Sequence, residues 1–156
     1  MNAYNLSLNH YDLEGLAKSL KLTSIDFIKT PSVDIESHWF KSPGPADMYF
    51  WKAQDKIIKH QVSLYGQVVE WNEFDGVKTG FVKDDEENYG SDIIVFDKEI
   101  NEVVIGQVVA FIEQIKIIDG EVKKQMVSHY EFYNRWSKLP LFVFFSRLFK
   151  PFRKKS

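Results

Sequence analysis

The chain has 156 residues, a formal net charge of −2 and no cysteine. This length suits one domain with its own hydrophobic core. The absence of cysteine excludes disulfide frameworks, thiolate nucleophiles and cysteine-ligated metal centres. Residues 1–15 are polar and include two acids, a composition that is not typical of a signal peptide. We therefore expect a single cytoplasmic domain without a cofactor.

The N-terminal part of the chain is predicted to contain two short helices and a turn-rich connection. Apolar residues at helical spacing predict a first helix over residues 11–22. A second helix is predicted over residues 23–28, because the residue before Pro31 disfavours the helical conformation. Residues 32–47 are rich in turn formers, with a short strand predicted at residues 35–40.

The middle of the chain has the pattern of antiparallel strands. Strands are predicted at residues 47–53, 56–71, 77–82 and 92–97, with a hairpin turn at Asp75-Gly76. Alternation along the strand predicted at residues 56–71 places His60 with apolar residues on the core face. Gly66 within this strand is a predicted bulge or bend.

Two helices are predicted after the strands. The first begins at Asp97 as its N-cap and ends at Gly120, although its many β-branched residues leave a partial strand as an alternative; the second covers residues 121–136. The predicted fold class is therefore α+β, an antiparallel β-meander packed on one face by N-terminal and C-terminal helices. We divide the chain into an α+β domain at 1–137 and a basic tail at 138–156.

The tail, here called the C-terminal segment, differs sharply in charge from the rest of the chain. It contains six Lys or Arg and no acid, whereas residues 1–137 contain 14 bases and all 22 acids. Its apolar residues follow helical spacing, which predicts an amphipathic helix that binds an anionic membrane surface or a partner protein. The alternative is that it packs on its own domain or on a second subunit. The residues predicted to make these contacts are Leu141, Phe144, Phe145, Arg147, Leu148, Phe149, Lys150, Phe152, Arg153, Lys154 and Lys155.

Two histidines and the surplus of aromatic residues suggest a ligand pocket or an enzyme site. His60 and His129 each lie beside apolar residues, where burial could tune an acid–base group, but such a histidine is more often a hydrogen-bonded core residue. The candidate pocket on the curved sheet comprises His60, Tyr65, Trp51 and Trp71. The sequence contains no phosphate-binding loop and no nucleophile or zinc motif that would assign a reaction.

Two further hypotheses are weaker. Residues 16–29 resemble a helix-turn-helix in their spacing, but the acidic body makes nucleic acid an unfavourable partner. Asp34, Glu36 and His38 would share one face of a strand and could approach a metal, although three ligand types on one strand do not make a site. We expect no metal.

These patterns together predict a non-catalytic binding or adaptor protein. Its expected partners are another protein, a second copy of the chain or an anionic membrane. Its expected location is the cytoplasm, with peripheral contact at the inner membrane surface. The alternative is a small-ligand-binding protein or an enzyme that uses His60 or His129.

Overall fold

The structure is a computed structural model, and it describes residues 12–83 and 93–137, with the backbone alone for 134–137. Three helices and seven strands follow one another along these residues. They are α1 (Leu13–Ser19), β1 (Lys21–Lys29), β2 (Asp34–Lys41), β3 (Ala46–Ala53), β4 (Lys56–Leu64), β5 (Gln67–Asn72), β6 (Gly76–Lys83), β7 (Ile93–Phe96), α2 (Glu102–Gln114) and α3 (Gly120–Ser137).

The seven strands form one antiparallel sheet in chain order, with β1 at one edge and β7 at the other. The predicted α+β class and the β-meander are confirmed. The turn between β4 and β5 is tight because Tyr65 (51°) and Gly66 (79°) both adopt positive φ. A two-residue turn of this kind matches the right-handed twist of the strands.

The helices cover one face of the sheet and form the core with it. Phe111 and Ile112 of α2 are fully buried, together with Met48 of β3 and Val62 of β4. Burying one such side chain contributes about 1.5–3 kcal/mol. The main chain of β4 is also tied to α3, because the Gln125 side chain accepts a hydrogen bond from the Ile57 N–H at 3.0 Å. The core therefore fixes how α3 crosses β4.

The predicted helix at residues 23–28 is wrong, because these residues belong to β1. Their β-branched and aromatic side chains favour an extended backbone, and β1 pairs with β2 along its whole length. The predicted strand at 56–71 is also two strands, because Tyr65 and Gly66 form a hairpin turn instead of a bulge. The hairpin places Val68 on the face opposite Val62.

Both predicted ends of the helix after the sheet are wrong. The N-cap of α2 is Asn101, whose side chain accepts hydrogen bonds from the Val103 and Val104 N–H groups. Asp97 instead accepts a hydrogen bond from the Thr79 hydroxyl at 2.7 Å. The helix stops at Gln114, and Gly120 begins α3. Asn101, and not Asp97, therefore caps α2, because only Asn101 lies directly before the buried residues of this helix.

The C-terminal segment, and with it every membrane- or partner-binding residue predicted there, lies outside the described residues. Among the helices that the structure describes, none is long and apolar enough to cross a membrane.

Candidate ligand pocket beside His129

Three side chains from β4 and α3 form a hydrogen-bonded chain, here called the histidine chain. The Tyr130 hydroxyl lies 3.0 Å from His60 Nδ1. The other nitrogen of the same ring, Nε2, lies 3.1 Å from His129 Nδ1. His129 and Tyr130 are neighbours on α3, so one turn of this helix holds both partners of the buried His60.

The hydrogen bond between the two rings couples their tautomers. Two neutral imidazoles can share this bond only if one nitrogen donates and the other accepts. When His60 Nε2 donates, His60 Nδ1 accepts a hydrogen bond from the Tyr130 hydroxyl and His129 carries its own proton on Nε2. When His129 Nδ1 donates, His60 Nδ1 donates to the Tyr130 oxygen and His129 Nε2 becomes an acceptor. His129 can therefore present a donor or an acceptor at Nε2 without gaining charge.

Burial keeps the histidine chain neutral near pH 7. Burial lowers the pKa of His60 well below its ordinary 6.5, and the neighbouring His129 lowers it further. Burial, with a smaller effect of the Lys56 charge, lowers the pKa of His129 to about 4. The Tyr130 pKa is raised, chiefly by burial and secondly by Glu70. Charged forms of all three groups are disfavoured because they would lose water without gaining a counter-ion.

Trp71 of β5 fixes the orientation of the His129 ring. The two rings are stacked at a centroid distance of 3.5 Å and an angle of 6°. Trp71 is the cross-strand partner of His60, so the sheet register itself brings the indole to this place. His129 is therefore held on one ring face by Trp71 and at Nδ1 by His60.

A cavity of about 500 Å³ opens beside His129, between α3 and the β5–β6 hairpin. Its walls are mainly aromatic and apolar, with a small number of polar groups. One of these, the Glu73 carboxylate, is paired with the Lys56 ammonium at 3.1 Å. The hairpin wall is braced by Asn72, whose side chain accepts hydrogen bonds from the N–H groups of Phe74 and Asp75. The lining residues are Trp71, Asn72, Glu73, Gly76, Val77, Ser128, His129, Phe132 and Tyr133.

The four residues of the predicted pocket do not share one site. His60 and Trp71 lie together on the helix-covered face, where their rings stack. The ring of His129, a residue of α3, also stacks on Trp71. Trp51 lies on the opposite face, because it neighbours the buried Phe50 in β3 and side chains alternate along a strand. Tyr65 lies in the β4–β5 turn.

Trp51 belongs instead to a row of stacked rings on the sheet face opposite the one that α2 and α3 cover. Its ring stacks with Tyr49 at 6.0 Å, and Tyr49 stacks with Trp39 at 5.3 Å. The ammonium groups of Lys59 and Lys41 lie over the Trp51 and Trp39 rings, at 5.2 and 5.7 Å. The row therefore has a cation over each end, an arrangement that stabilises the stacked rings.

Sequence reasoning missed Tyr130 and Phe132 as site residues. Helical spacing over residues 121–136 places Tyr130 on the core-facing side of the last helix, and the structure buries it to an exposure of 1%. The one signal in the sequence was the pair His129 and Tyr130 on a predicted helix, together with His60 on the core face of a predicted strand. That signal requires the packing of α3 on β4, which periodicity alone does not specify.

The other candidate sites have different outcomes. The helix-turn-helix is wrong, because its proposed recognition helix is the strand β1. His38 Nε2 lies 3.1 Å from the Glu36 carboxylate, but the described residues contain no group of three or more ligands suited to a metal ion.

No family model, curated protein or solved structure matches this chain.

Proposed function

We propose that the protein is a non-catalytic binding protein that holds a small planar ligand in the pocket beside His129. The observation that carries this proposal is the His129 ring itself. Trp71 and His60 hold it in one orientation, while the coupled tautomers let Nε2 donate to or accept from a ligand. A rigid polar group in an apolar cavity of about 500 Å³ is typical of a small-molecule site.

The pKa of His129 favours binding over catalysis. A general base works best when its pKa lies near the working pH, whereas burial lowers the pKa of His129 to about 4. Its ring partner is another neutral imidazole instead of the carboxylate that orients a catalytic histidine. The His129 imidazole is therefore suited to binding a ligand through a hydrogen bond.

The walls define the chemical class of the ligand. Trp71, Phe132 and Tyr133 favour a planar apolar body. The pairing of Glu73 with Lys56 leaves little net charge at the wall, so an uncharged ligand avoids an uncompensated desolvation cost. We expect an aromatic heterocycle with one ring N–H or one ring acceptor.

Probes of matched shape test this proposal. Indole, benzimidazole and benzofuran share a bicyclic body but differ in donors and acceptors, and each is titrated while the amide spectrum is recorded by NMR. We expect dissociation constants of roughly 0.1–1 mM, as is usual for fragments of this size, with shifts centred on residues 128–133. Benzimidazole, which can use either tautomer, should bind most tightly. Failure of all three probes to shift these amides contradicts the proposal.

Two variants supply the control. Phe132→Ala removes a pocket wall and should weaken binding several-fold, whereas Phe27→Ala should have no effect, since Phe27 has a similar exposure (68% against 61%) but lies in β1. His129→Asn keeps a hydrogen-bonding group near His60 Nε2 but withdraws the ring from the pocket. It should remove the preference for benzimidazole over benzofuran.

A second function is favoured by the charge of the C-terminal segment. Six bases follow an acidic body, so the intact protein should associate peripherally with an anionic inner membrane surface. We expect sedimentation with phosphatidylserine vesicles, weaker at high salt, and none with phosphatidylcholine vesicles. A chain that ends at Ser137 should not sediment. Equal sedimentation of both chains would contradict this second function.

A further inference from the structure

Phe74 is the most exposed large apolar side chain in the part of the chain that the structure describes, with an exposure of 90%. It lies at the tip of the hairpin that joins β5 to β6. The Asn72 side chain accepts hydrogen bonds from the N–H groups of Phe74 and Asp75, at 3.0 and 2.8 Å. These bonds fix the turn, so an ordered backbone holds the Phe74 ring in solvent. The ring therefore contributes little to the core.

A second exposed phenylalanine lies across the pocket from this hairpin. Phe132 of α3 is 61% exposed, and it lines the same pocket as Glu73 and Gly76 of the hairpin. Phe74 lies between Glu73 and Gly76 in the turn, so the two phenylalanines lie on the same side of the molecule. The pair Phe74 and Phe132, here called the aromatic tip, forms an exposed apolar patch of the kind that marks an interaction surface.

The hairpin beside Phe74 carries no net charge. The Glu73 carboxylate is paired with the Lys56 ammonium at 3.1 Å. The Asp75 carboxylate is paired with the Lys78 ammonium at 2.9 Å. Both acids that flank the ring are therefore compensated by a lysine, and the hairpin does not repel an anionic partner.

The helix α3 brings the C-terminal segment to the same side of the molecule. Gln125, near the start of α3, accepts a hydrogen bond from the Ile57 N–H of β4, whereas Phe132 lines the pocket with Gly76 of β6. The helix therefore crosses the sheet from β4 toward β6. It ends at Ser137, five residues after Phe132, which is about 8 Å along the helix axis. The C-terminal segment, with its six bases, thus begins beside the aromatic tip.

The charges around the aromatic tip favour an anionic surface. Asp55 and Glu131 are nearby acids without an ion-pair partner among the described residues, whereas the C-terminal segment adds six bases and no acid. Exposed apolar rings beside clustered bases are typical of proteins that lie on anionic lipid, where the rings enter the acyl boundary and the bases stay among the headgroups. A protruding ring also needs no preformed cavity in a fluid lipid layer.

We propose that the aromatic tip inserts into the surface of an anionic membrane, so that the β5–β6 hairpin and the C-terminal segment contact the lipid together. This inference rests on the membrane association proposed above for the C-terminal segment. It adds a second contact, made by Phe74 and Phe132, which fixes the side of the protein that faces the lipid. The β4–β5 turn at Tyr65 lies at the opposite end of β5 and faces away from the lipid.

A dye attached to single cysteines tests this orientation on the full chain. The chain contains no cysteine, so Phe74→Cys creates one labelling site for the polarity-sensitive dye NBD. Tyr65→Cys is the matched control, because the six residues of β5 separate the two turns by about 20 Å. On vesicles that contain phosphatidylserine, the emission at residue 74 should move to shorter wavelength and brighten, while that at residue 65 should not change. Equal changes at both positions overturn the proposal.

A serine substitution measures the contribution of the ring to binding. Phe74→Ser should weaken sedimentation with phosphatidylserine vesicles about tenfold, because interfacial binding scales with the apolar area buried. Tyr65→Ser is the control and should leave this binding unchanged.

The outcomes separate this orientation from the association on which it rests. If the unsubstituted chain does not sediment with phosphatidylserine vesicles, both the membrane association and the orientation are wrong. If it sediments but the dye at residue 74 does not respond, or Phe74→Ser binds as well as the unsubstituted chain, the orientation alone is overturned.

Discussion

The strands β1 and β4 are both nine residues long, yet they lie in opposite environments. β4 buries Ile57, His60 and Val62 beneath the helices, and none of the three has any exposed surface. β1 leaves Ile25 and Phe27 largely exposed. Both strands are rich in apolar residues, so composition does not explain the contrast. The reason is that, among the residues that the structure describes, α2 and α3 pack mainly on β4, β5 and β6, which lie away from the β1 edge.

This contrast predicts where substitutions change stability. The centre of the sheet contains the core and the histidine chain, so substitutions there should lower the free energy of unfolding. The edge contributes little to the core, so substitutions at β1 should change the free energy of unfolding little.

The largest effect is expected for Phe111→Ala in α2. Phe111 has 0% exposure and packs in the core cluster with the sheet. Removing its ring loses buried apolar area and leaves a cavity, which costs about 3–5 kcal/mol. Urea unfolding followed by circular dichroism measures this change. A loss below about 1 kcal/mol would mean that α2 does not pack on the sheet as described.

The next effect is a loss of stability at mildly acidic pH, caused by the histidine chain. Above pH 6.5 both histidines are neutral in the folded and the unfolded protein, so their contribution to stability is fully present. Below pH 6.5 both histidines bind protons in the unfolded chain but stay neutral in the folded protein. This difference arises because the folded pKa of His129 is about 4 and that of His60 is also lowered. Stability should therefore fall between pH 6.5 and about 4.

Urea unfolding at a series of pH values tests this dependence. Carboxylates titrate in the same range, so the informative comparison is with His129→Asn, which removes one of the two histidines. This variant should show a shallower loss of stability between pH 6.5 and about 4. Identical pH profiles for the two proteins would show that His129 is not held neutral by the fold.

A smaller effect is expected for Tyr130→Phe. This change removes the hydroxyl that lies 3.0 Å from His60 Nδ1 and leaves a buried ring nitrogen without its partner. The expected cost is about 1–3 kcal/mol. Tyr133→Phe is the control, because the Tyr133 hydroxyl has no hydrogen-bond partner within the described residues and Tyr133 is partly buried in the same helix. Equal effects of the two substitutions would argue against the histidine chain.

Much of the fold could be predicted because its signals are local. The alternation in β3 and β6 and the helical stripe of α3 each occupy a few consecutive residues, and they produced the correct class and the antiparallel meander. The error at residues 23–28 arose because these six residues span less than two helical turns. So short a segment does not separate helical from strand periodicity. Pairing with β2, a partner that lies further along the chain, decided its conformation.

The candidate site could not be predicted because its contacts are distant in sequence. His60 and His129 are 69 residues apart, and their contact depends on the angle at which α3 crosses β4. Each histidine alone looked like an ordinary core residue. The grouping of Trp51 with Trp71 was wrong because the turn at Tyr65 and Gly66 was interpreted as a bend in one strand. This turn is a hairpin, and it determines which face of the sheet Trp71 occupies.

The smallest effect is expected for Phe27→Ala at the exposed edge. Phe27 is 68% exposed, so its truncation should change the free energy of unfolding by no more than about 0.5 kcal/mol, whereas the same substitution at Phe111 costs several times as much. Both values come from the same urea experiment. A loss above about 1 kcal/mol at Phe27 would show that another part of the chain or a second copy covers β1 in solution. In that case the edge would belong to the folded unit, and the contrast between a buried centre and an exposed edge would not hold.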